Sequence, residues 1–194
     1  MDVNFYGVVR VTRTFLPLIR KSKGRVVNLI SMAGRVGCPF MSAYGASKHA
    51  CIAFTESLAL EMQPFNVKVL SIEPWFYKTP LLNLDMFCRD IKSQWAYAST
   101  EVREAYGADM ETKAIAVAYH LCASKANVEP DLQHVVDALV DAVTSIEPNP
   151  YNQVMSHLRK VVIKLVIDFL PYEMRLKLMQ LRLGRIMDGA VNSV

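Results

Sequence analysis

Tyr44 and Lys48 stand four residues apart in Tyr44-Gly-Ala-Ser-Lys48, a spacing that turns both side chains to one side of a helix. A phenol with a pKa of about 10 is a poor proton donor or acceptor at neutral pH, and a neighbouring ammonium favours its ionised form. Ser31, thirteen residues before Tyr44, adds a hydroxyl able to donate to a reacting oxygen. Together the three residues suit acid–base chemistry at a reacting oxygen. Taken singly they have plainer readings: a packing aromatic, a surface lysine and a turn hydroxyl.

These residues need elements to hold them. Arg25-Val-Val-Asn-Leu-Ile30 is a short β-branched run that suits a buried strand. It opens into Ser31-Met-Ala-Gly34, whose small residues mark a turn. A helix from Ser42 or Ala43 to about Met62 carries Tyr44 and Lys48 near its start and is rich in Ala, Leu and Glu. Val67 to Ile72 is a second short apolar strand, halted by Glu73-Pro74. An amphipathic helix over residues 2–20 precedes both strands, with Phe5, Val8, Val9, Phe15, Leu16 and Ile19 on its apolar side. Helix, strand, helix, strand is the order of a parallel α/β sheet covered on both faces. In such sheets the carboxyl ends of the strands open into the ligand crevice, which places Ser31 there.

The rest of the chain is less regular. Residues 80–111 mix aromatics with charges and predict short helices. Further helices are expected from about Glu111 to Ser124 and from Asp131 to Ser145, the latter stopped by Pro148 and Pro150. Residues 154–187 form a long amphipathic segment. Leu158, Val161, Val162, Leu165, Val166, Phe169 and Leu170 recur at intervals of three and four, and Pro171 breaks the helix. The division expected is a catalytic part over 1–150 and amphipathic basic helices over 151–194.

Composition narrows the function classes. The 194 residues are 52% hydrophobic and carry a net charge of +4, which excludes a disordered or polyelectrolyte chain. Residues 1–156 hold 15 basic and 15 acidic side chains, and residues 157–194 hold seven and three, so the whole excess lies in the tail. No basic footprint for nucleic acid is evident. Cys38, Cys51, Cys88 and Cys122 are widely spaced, without a CxxC pair. They read as core thiols in a reducing, intracellular setting, not as a disulfide scaffold or a metal cage. The N-terminal residues lack the pattern of a signal peptide.

Several segments in order carry a family resemblance: Asn4-Phe-Tyr-Gly7, Asn28-Leu-Ile-Ser-Met-Ala-Gly34, Tyr44-Gly-Ala-Ser-Lys48 and Glu73-Pro-Trp-Phe-Tyr-Lys-Thr79. They resemble the short-chain dehydrogenase/reductase family, in wording most like its branch of retinol, 17β- and 11β-hydroxysteroid and 3-hydroxybutyrate dehydrogenases. The resemblance implies the later part of a Rossmann-like doubly wound parallel sheet with a C-terminal amphipathic helical extension. It implies hydride transfer between NAD or NADP and a secondary alcohol or carbonyl, without a metal. Tyr44 would be the general acid/base, Lys48 its pKa-lowering neighbour and ribose ligand, Ser31 the group holding the substrate oxygen, and Asn4 the holder of a relay water. Pro74, Trp75, Phe76 and Thr79 would line the nicotinamide.

The family's glycine-rich first turn and its Asn-Asn-Ala-Gly segment do not occur in this sequence, and two strands are too few for a free-standing doubly wound domain. A truncated member, inactive alone for want of the phosphate-binding half, is therefore expected. The alternative is a non-catalytic member acting by pairing with a homo-oligomeric copy or a full-length relative. Trp75 stands where the family has glycine, so the indole either presses on the nicotinamide or turns to solvent. The apolar stretch 75–97 with Cys38 to Met41 suits an apolar alcohol or ketone, steroid or retinoid in kind, with a small hydroxy acid still compatible. The basic amphipathic segment 154–187 suits peripheral contact with the endoplasmic reticulum or another organelle membrane.

Overall fold

The computed structural model describes residues 1–125 and 127–191. Strand β1 (Arg25–Leu29) pairs in parallel with β2 (Lys68–Pro74), and β2 in parallel with β3 (Tyr151–Val154), in the order β1-β2-β3. Helix α1 (Val8–Ser22) precedes β1 and α2 (Ser42–Met62) connects β1 to β2. Between β2 and β3 come α3 (Leu84–Tyr97), α4 (Thr100–Tyr106), α5 (Met110–Cys122) and α6 (Gln133–Thr144). After β3 follow α7 (His157–Phe169) and α8 (Tyr172–Val191). This is an α/β fold of Rossmann-like type, a parallel sheet flanked by helices and followed by C-terminal helices.

The chain divides into two compact units, residues 1–75 with 131–160, and residues 76–130 with 161–194. In the first, strand alternation sorts the side chains. Val26 and Val69 turn towards Leu58 and Met62 of α2, with Leu16 and Ile19 of α1 closing that core. Asn28 shares the Val26 face and donates to Thr55 Oγ1 of α2 (2.9 Å). Arg25 points the other way and donates to the carbonyls of Ala142 and Ser145 (2.8 and 2.5 Å) at the end of α6, where a cation complements the helix dipole. In the second unit α5 packs against α3 and α8. There Arg182 of α8 donates to Nε2 of His120 on α5 at 2.9 Å.

Three expectations need correction. The helix expected over residues 2–20 begins as a wide π-type turn, Asp2–Gly7, before α1 proper. The sheet has a third strand, and it takes the first four residues of the stretch 151–194 expected as amphipathic helices. Tyr151-Asn-Gln-Val154 has no apolar run to announce it. It is a strand because β2 offers partners, including the Ser71 N–H to the Pro150 carbonyl (3.0 Å) and the Trp75 N–H to the Val154 carbonyl (2.9 Å). Within 80–111, α3 is a full 14-residue helix, capped by the Asn83 side chain accepting from the Met86 N–H. Residues 192–194 of the expected tail lie outside the described residues.

One edge of the sheet is open. Among the described residues β1 pairs only with β2, and Leu29 at its end is 54% exposed. A groove of about 460 Å³ runs along this edge, lined by Val3, Val8 and Val11 on one side and Val27 and Leu29 on the other.

Candidate active site

Ser31 leaves β1 with extended backbone and caps a single 3₁₀ turn, Met32–Gly34, its Oγ accepting from the Ala33 N–H at 3.1 Å. That use of the oxygen leaves the hydroxyl proton available for donation to a ligand. The turn lies directly on α2. A Cβ added at Gly34 would come within 2.8 Å of the Lys48 carbonyl carbon and 3.0 Å of the His49 nitrogen, and one at Gly45 within 3.1 Å of the Ala33 oxygen. Only glycine allows two backbones to approach this closely. His49 Nδ1 fixes the contact, 2.8 Å from the Gly34 carbonyl oxygen. The short small-residue turn thus brings the strand end carrying Ser31 against the helix start carrying Tyr44.

On α2 the Lys48 ammonium stands 5.7 Å from the centre of the Tyr44 ring. Burial pushes the lysine below its ordinary pKa, with the nearby Cys51 thiol acting weakly the other way. Among the described residues no carboxylate lies within ion-pair distance of it. A half-buried cation of this kind suits neutral hydroxyl partners, such as those of a ribose, and so fits the reactive end of a nicotinamide cofactor.

Asn4 joins the same cluster from the wide turn before α1. Its Nδ2 donates to Ser47 Oγ at 3.2 Å, and its carbonyl accepts from the Cys51 thiol at 2.9 Å. Ser47 in turn donates to the Tyr44 carbonyl at 2.7 Å. Asn4 is therefore tied to α2 at two points that bracket Lys48. The π-type turn gives its polarity a use: such turns widen the backbone locally and recur at functional sites.

The end of β2 contributes the second wall. Glu73 has no exposed surface, yet it carries a carboxylate in an apolar strand. Arg35, just beyond the Ser31 turn, holds it with Nε to Oε2 at 2.6 Å and Nη2 to Oε1 at 2.8 Å, and Ser71 Oγ donates to Oε1 at 2.8 Å. The same guanidinium reaches Glu56 Oε1 of α2 at 3.2 Å. These carboxylates hold the Arg35 pKa above its ordinary value, the Glu73 hydrogen bonds being the main cause. The sequence motifs did not single out Arg35. The signals were an arginine between the serine and tyrosine motifs and an acid closing an apolar strand. Beyond Glu73, Pro74 ends the strand. Trp75 is half-buried, with the Arg159 guanidinium 5.5 Å from its ring centre.

The structure thus brings Asn4, Ser31, Tyr44, Lys48, Pro74 and Trp75 into the first unit. Phe76 and Thr79 belong to the second, where the Phe76 carbonyl accepts from the Glu129 N–H (2.7 Å) and the Thr79 carbonyl from the Leu82 N–H (2.9 Å). Among the described residues no group of three or more His, Cys, Asp or Glu side chains could hold a metal ion.

The short chain dehydrogenase family matches residues 1–85, the stretch that holds every residue of this site. Retinol dehydrogenase 7 of Rattus norvegicus is 38% identical over 151 residues, 76% of this chain and 45% of that protein. The 17-beta-hydroxysteroid dehydrogenase type 6 of Homo sapiens is 33% identical over 76% of this chain and 45% of its own length. Among solved structures, a short chain dehydrogenase from Burkholderia cenocepacia in complex with NADP has the same fold, with a TM-score of 0.56 at 20% identity over 87% of this chain and 53% of that one. The chain spans about 45% of the length of the curated relatives it matches. It belongs to the short-chain dehydrogenase/reductase family, in the neighbourhood of the retinol and hydroxysteroid dehydrogenases.

Proposed function

We propose that this chain is the catalytic part of a dehydrogenase that passes a hydride between a nicotinamide cofactor and a secondary alcohol or carbonyl of an apolar substrate. The observation that carries the reading is the packing of the turn with Ser31 on the helix start with Tyr44 and Lys48, to which Asn4 is tied from the π-type turn before α1. The cofactor supplies the hydride acceptor or donor. Ser31, its oxygen used by the turn, donates to the substrate oxygen. Tyr44 takes or gives the hydroxyl proton, and Lys48 favours the phenolate and binds ribose hydroxyls. Asn4, anchored to Ser47 and Cys51, holds the water that returns the proton to solvent. Pro74, Trp75, Phe76 and Thr79 are the residues that would line the nicotinamide by the family resemblance. Steroid or retinoid alcohols fit the names of the relatives. Choice between NAD and NADP belongs to residues that this sequence does not contain.

The phosphate-binding half of the cofactor site has no counterpart among the described residues, so the chain alone is proposed to be inactive and to bind neither NAD(H) nor NADP(H) at micromolar concentrations. Calorimetry tests this; micromolar binding by a monodisperse preparation contradicts it. Fusion to the N-terminal half of rat retinol dehydrogenase 7 supplies a phosphate-binding half. In that fusion Tyr44→Phe lowers turnover by at least about 100-fold, the lower end of what a positioned proton donor contributes. Lys48→Met loses cofactor affinity and rate while leaving the protein no less stable, because it removes a half-buried charge. Substantial turnover by the Tyr44→Phe fusion would exclude Tyr44 as the acid/base.

A second reading is a non-catalytic member that works by pairing. The apolar groove along the open β1 edge favours it, since unpaired strand edges recruit further strands. A parental fusion without turnover on any apolar secondary alcohol, together with a stable complex between this chain and a full-length relative, would select it.

A further inference from the structure

Three segments carry the proposed chemistry: the turn with Ser31, the helix with Tyr44 and Lys48, and the strand end leading to Trp75. One residue, Arg35, bonds to all three, through its backbone at the turn and through its guanidinium at the helix and the strand. Arg35 closes the Ser31 turn, its N–H donating to the Met32 carbonyl at 2.9 Å. Its side chain forks onto Glu73 at 2.6 and 2.8 Å and reaches Glu56 of α2 at 3.2 Å. Glu73 immediately precedes Pro74 and Trp75. We propose that Arg35 is a positioning residue, a clamp that sets the Ser31 turn and the Trp75 loop at a fixed spacing from α2. The proposal rests on the dehydrogenase reading for its functional meaning, and on the geometry alone for its existence.

The chemistry favours a clamp over incidental surface pairing. Glu73 is fully buried and Ser71 Oγ supplies its remaining partner at 2.8 Å, so the carboxylate has one orientation. A planar fork onto both carboxylate oxygens fixes direction as well as distance, which a lysine cannot do. Arg35 also stands 5.8 Å from the Tyr151 ring centre, so its outer face meets β3. A pair serving stability alone would be replaceable by apolar side chains of similar volume, because buried ion pairs are often matched by such packing. A clamp would not be replaceable in that way.

The test uses the full chain and two local reporters. One is hydrogen exchange of the Ala33 amide, which donates to Ser31 Oγ. The other is the 19F resonance of 5-fluorotryptophan at Trp75, assigned with Trp95→Phe. In Arg35→Met/Glu73→Met the expected result is a melting temperature near the parent's, Ala33 exchange at least tenfold faster, and a displaced Trp75 resonance. Should that variant fail to fold, Arg35→Lys keeps the positive charge beside Glu73 and gives up only the fork. It is expected to melt within a few degrees of the parent and still speed Ala33 exchange several-fold. A folded variant of either kind with both reporters unmoved overturns the clamp. A parental fusion without turnover on any apolar secondary alcohol, with reporters that do move in the Arg35 variants, overturns the dehydrogenase reading and leaves the clamp standing.

Discussion

α2 and α7 are both apolar at helical spacing, and only α2 is covered. Its stripe of Ser47, Cys51, Thr55, Leu58 and Met62 is buried. Each polar member of that stripe has partners: Ser47 bonds Asn4 and the Tyr44 carbonyl, and Thr55 bonds Asn28 and the Cys51 carbonyl. Burial leaves no choice, because an unpartnered hydroxyl there would cost about 1–3 kcal/mol. α7 has no buried residue; Leu158 and Phe169 are 76% and 75% exposed, and Val161, Val162 and Leu165 are exposed with them. An apolar pattern therefore predicts a helix in both cases and says nothing about what covers it. In α2 the polar exceptions carry the information, since each marks a contact that fixes the site.

The sharpest test of the difference is steric. At Gly34 an added Cβ would meet the α2 backbone at 2.8 Å and Ile52 Cδ1 at 2.7 Å. The helix backbone cannot yield as a flexible side chain would, so Gly34→Ala is expected to cost about 1–3 kcal/mol. At about 2–4 °C per kcal/mol for a chain of this size, the melting temperature falls by several degrees. In the fusion, turnover falls as well, because the Ser31 turn is pushed from Tyr44. A Gly34→Ala protein that melts and turns over like its parent would mean the two elements are not tightly joined.

The exposed stripe of α7 has a matching prediction. Arg159, Lys160 and Lys164 flank it, and the chain's excess positive charge lies in residues 157–194. Among the described residues no helix is long and apolar enough to cross a membrane. The reading proposed for this segment is an interfacial helix, with its apolar side in the bilayer edge and its basic flank on anionic lipid. Leu165→Glu/Phe169→Glu should lower binding to anionic vesicles at least tenfold while changing stability by less than about 0.5 kcal/mol per site. Binding by the parent should weaken with salt. Substitution is a better probe than truncation at Pro150, which would also remove β3 and its pairing with β2. Equal vesicle cosedimentation of parent and variant would return α7 to packing against protein.

The sequence showed β1, α2 and β2 to within two residues because their signals are local: β-branched runs, an Ala- and Leu-rich stretch, and Glu73-Pro74 as a stop. Ser31, Tyr44 and Lys48 were legible as candidates for the same reason, being fixed offsets within short motifs. β3 was not, since its strand state is imposed by β2 and not by Tyr-Asn-Gln-Val itself. The Arg35–Glu73 pair was not either, because its partners are 38 residues apart and meet only when β1 and β2 lie side by side. Asn4 stood out as polar in an apolar helix, but the wide turn that explains it depends on partners in α2, more than forty residues away.

The smallest expected effect has the opposite sign. Gly184 lies inside α8, and a Cβ added there meets nothing within 4 Å. Glycine in a helix interior loses more backbone freedom on folding than alanine, a penalty of about 0.5–1 kcal/mol. Gly184→Ala should thus stabilise the chain by up to that amount, raising the melting temperature by about 1–4 °C. Turnover in the fusion should be unchanged, because α8 contributes no residue to the site. The same substitution at Gly34 and Gly184 therefore differs in sign by the space around the glycine alone. A loss of stability at Gly184 would show that this face of α8 is covered in solution, by lipid-free protein or by a second copy, and sedimentation of the two proteins would then differ.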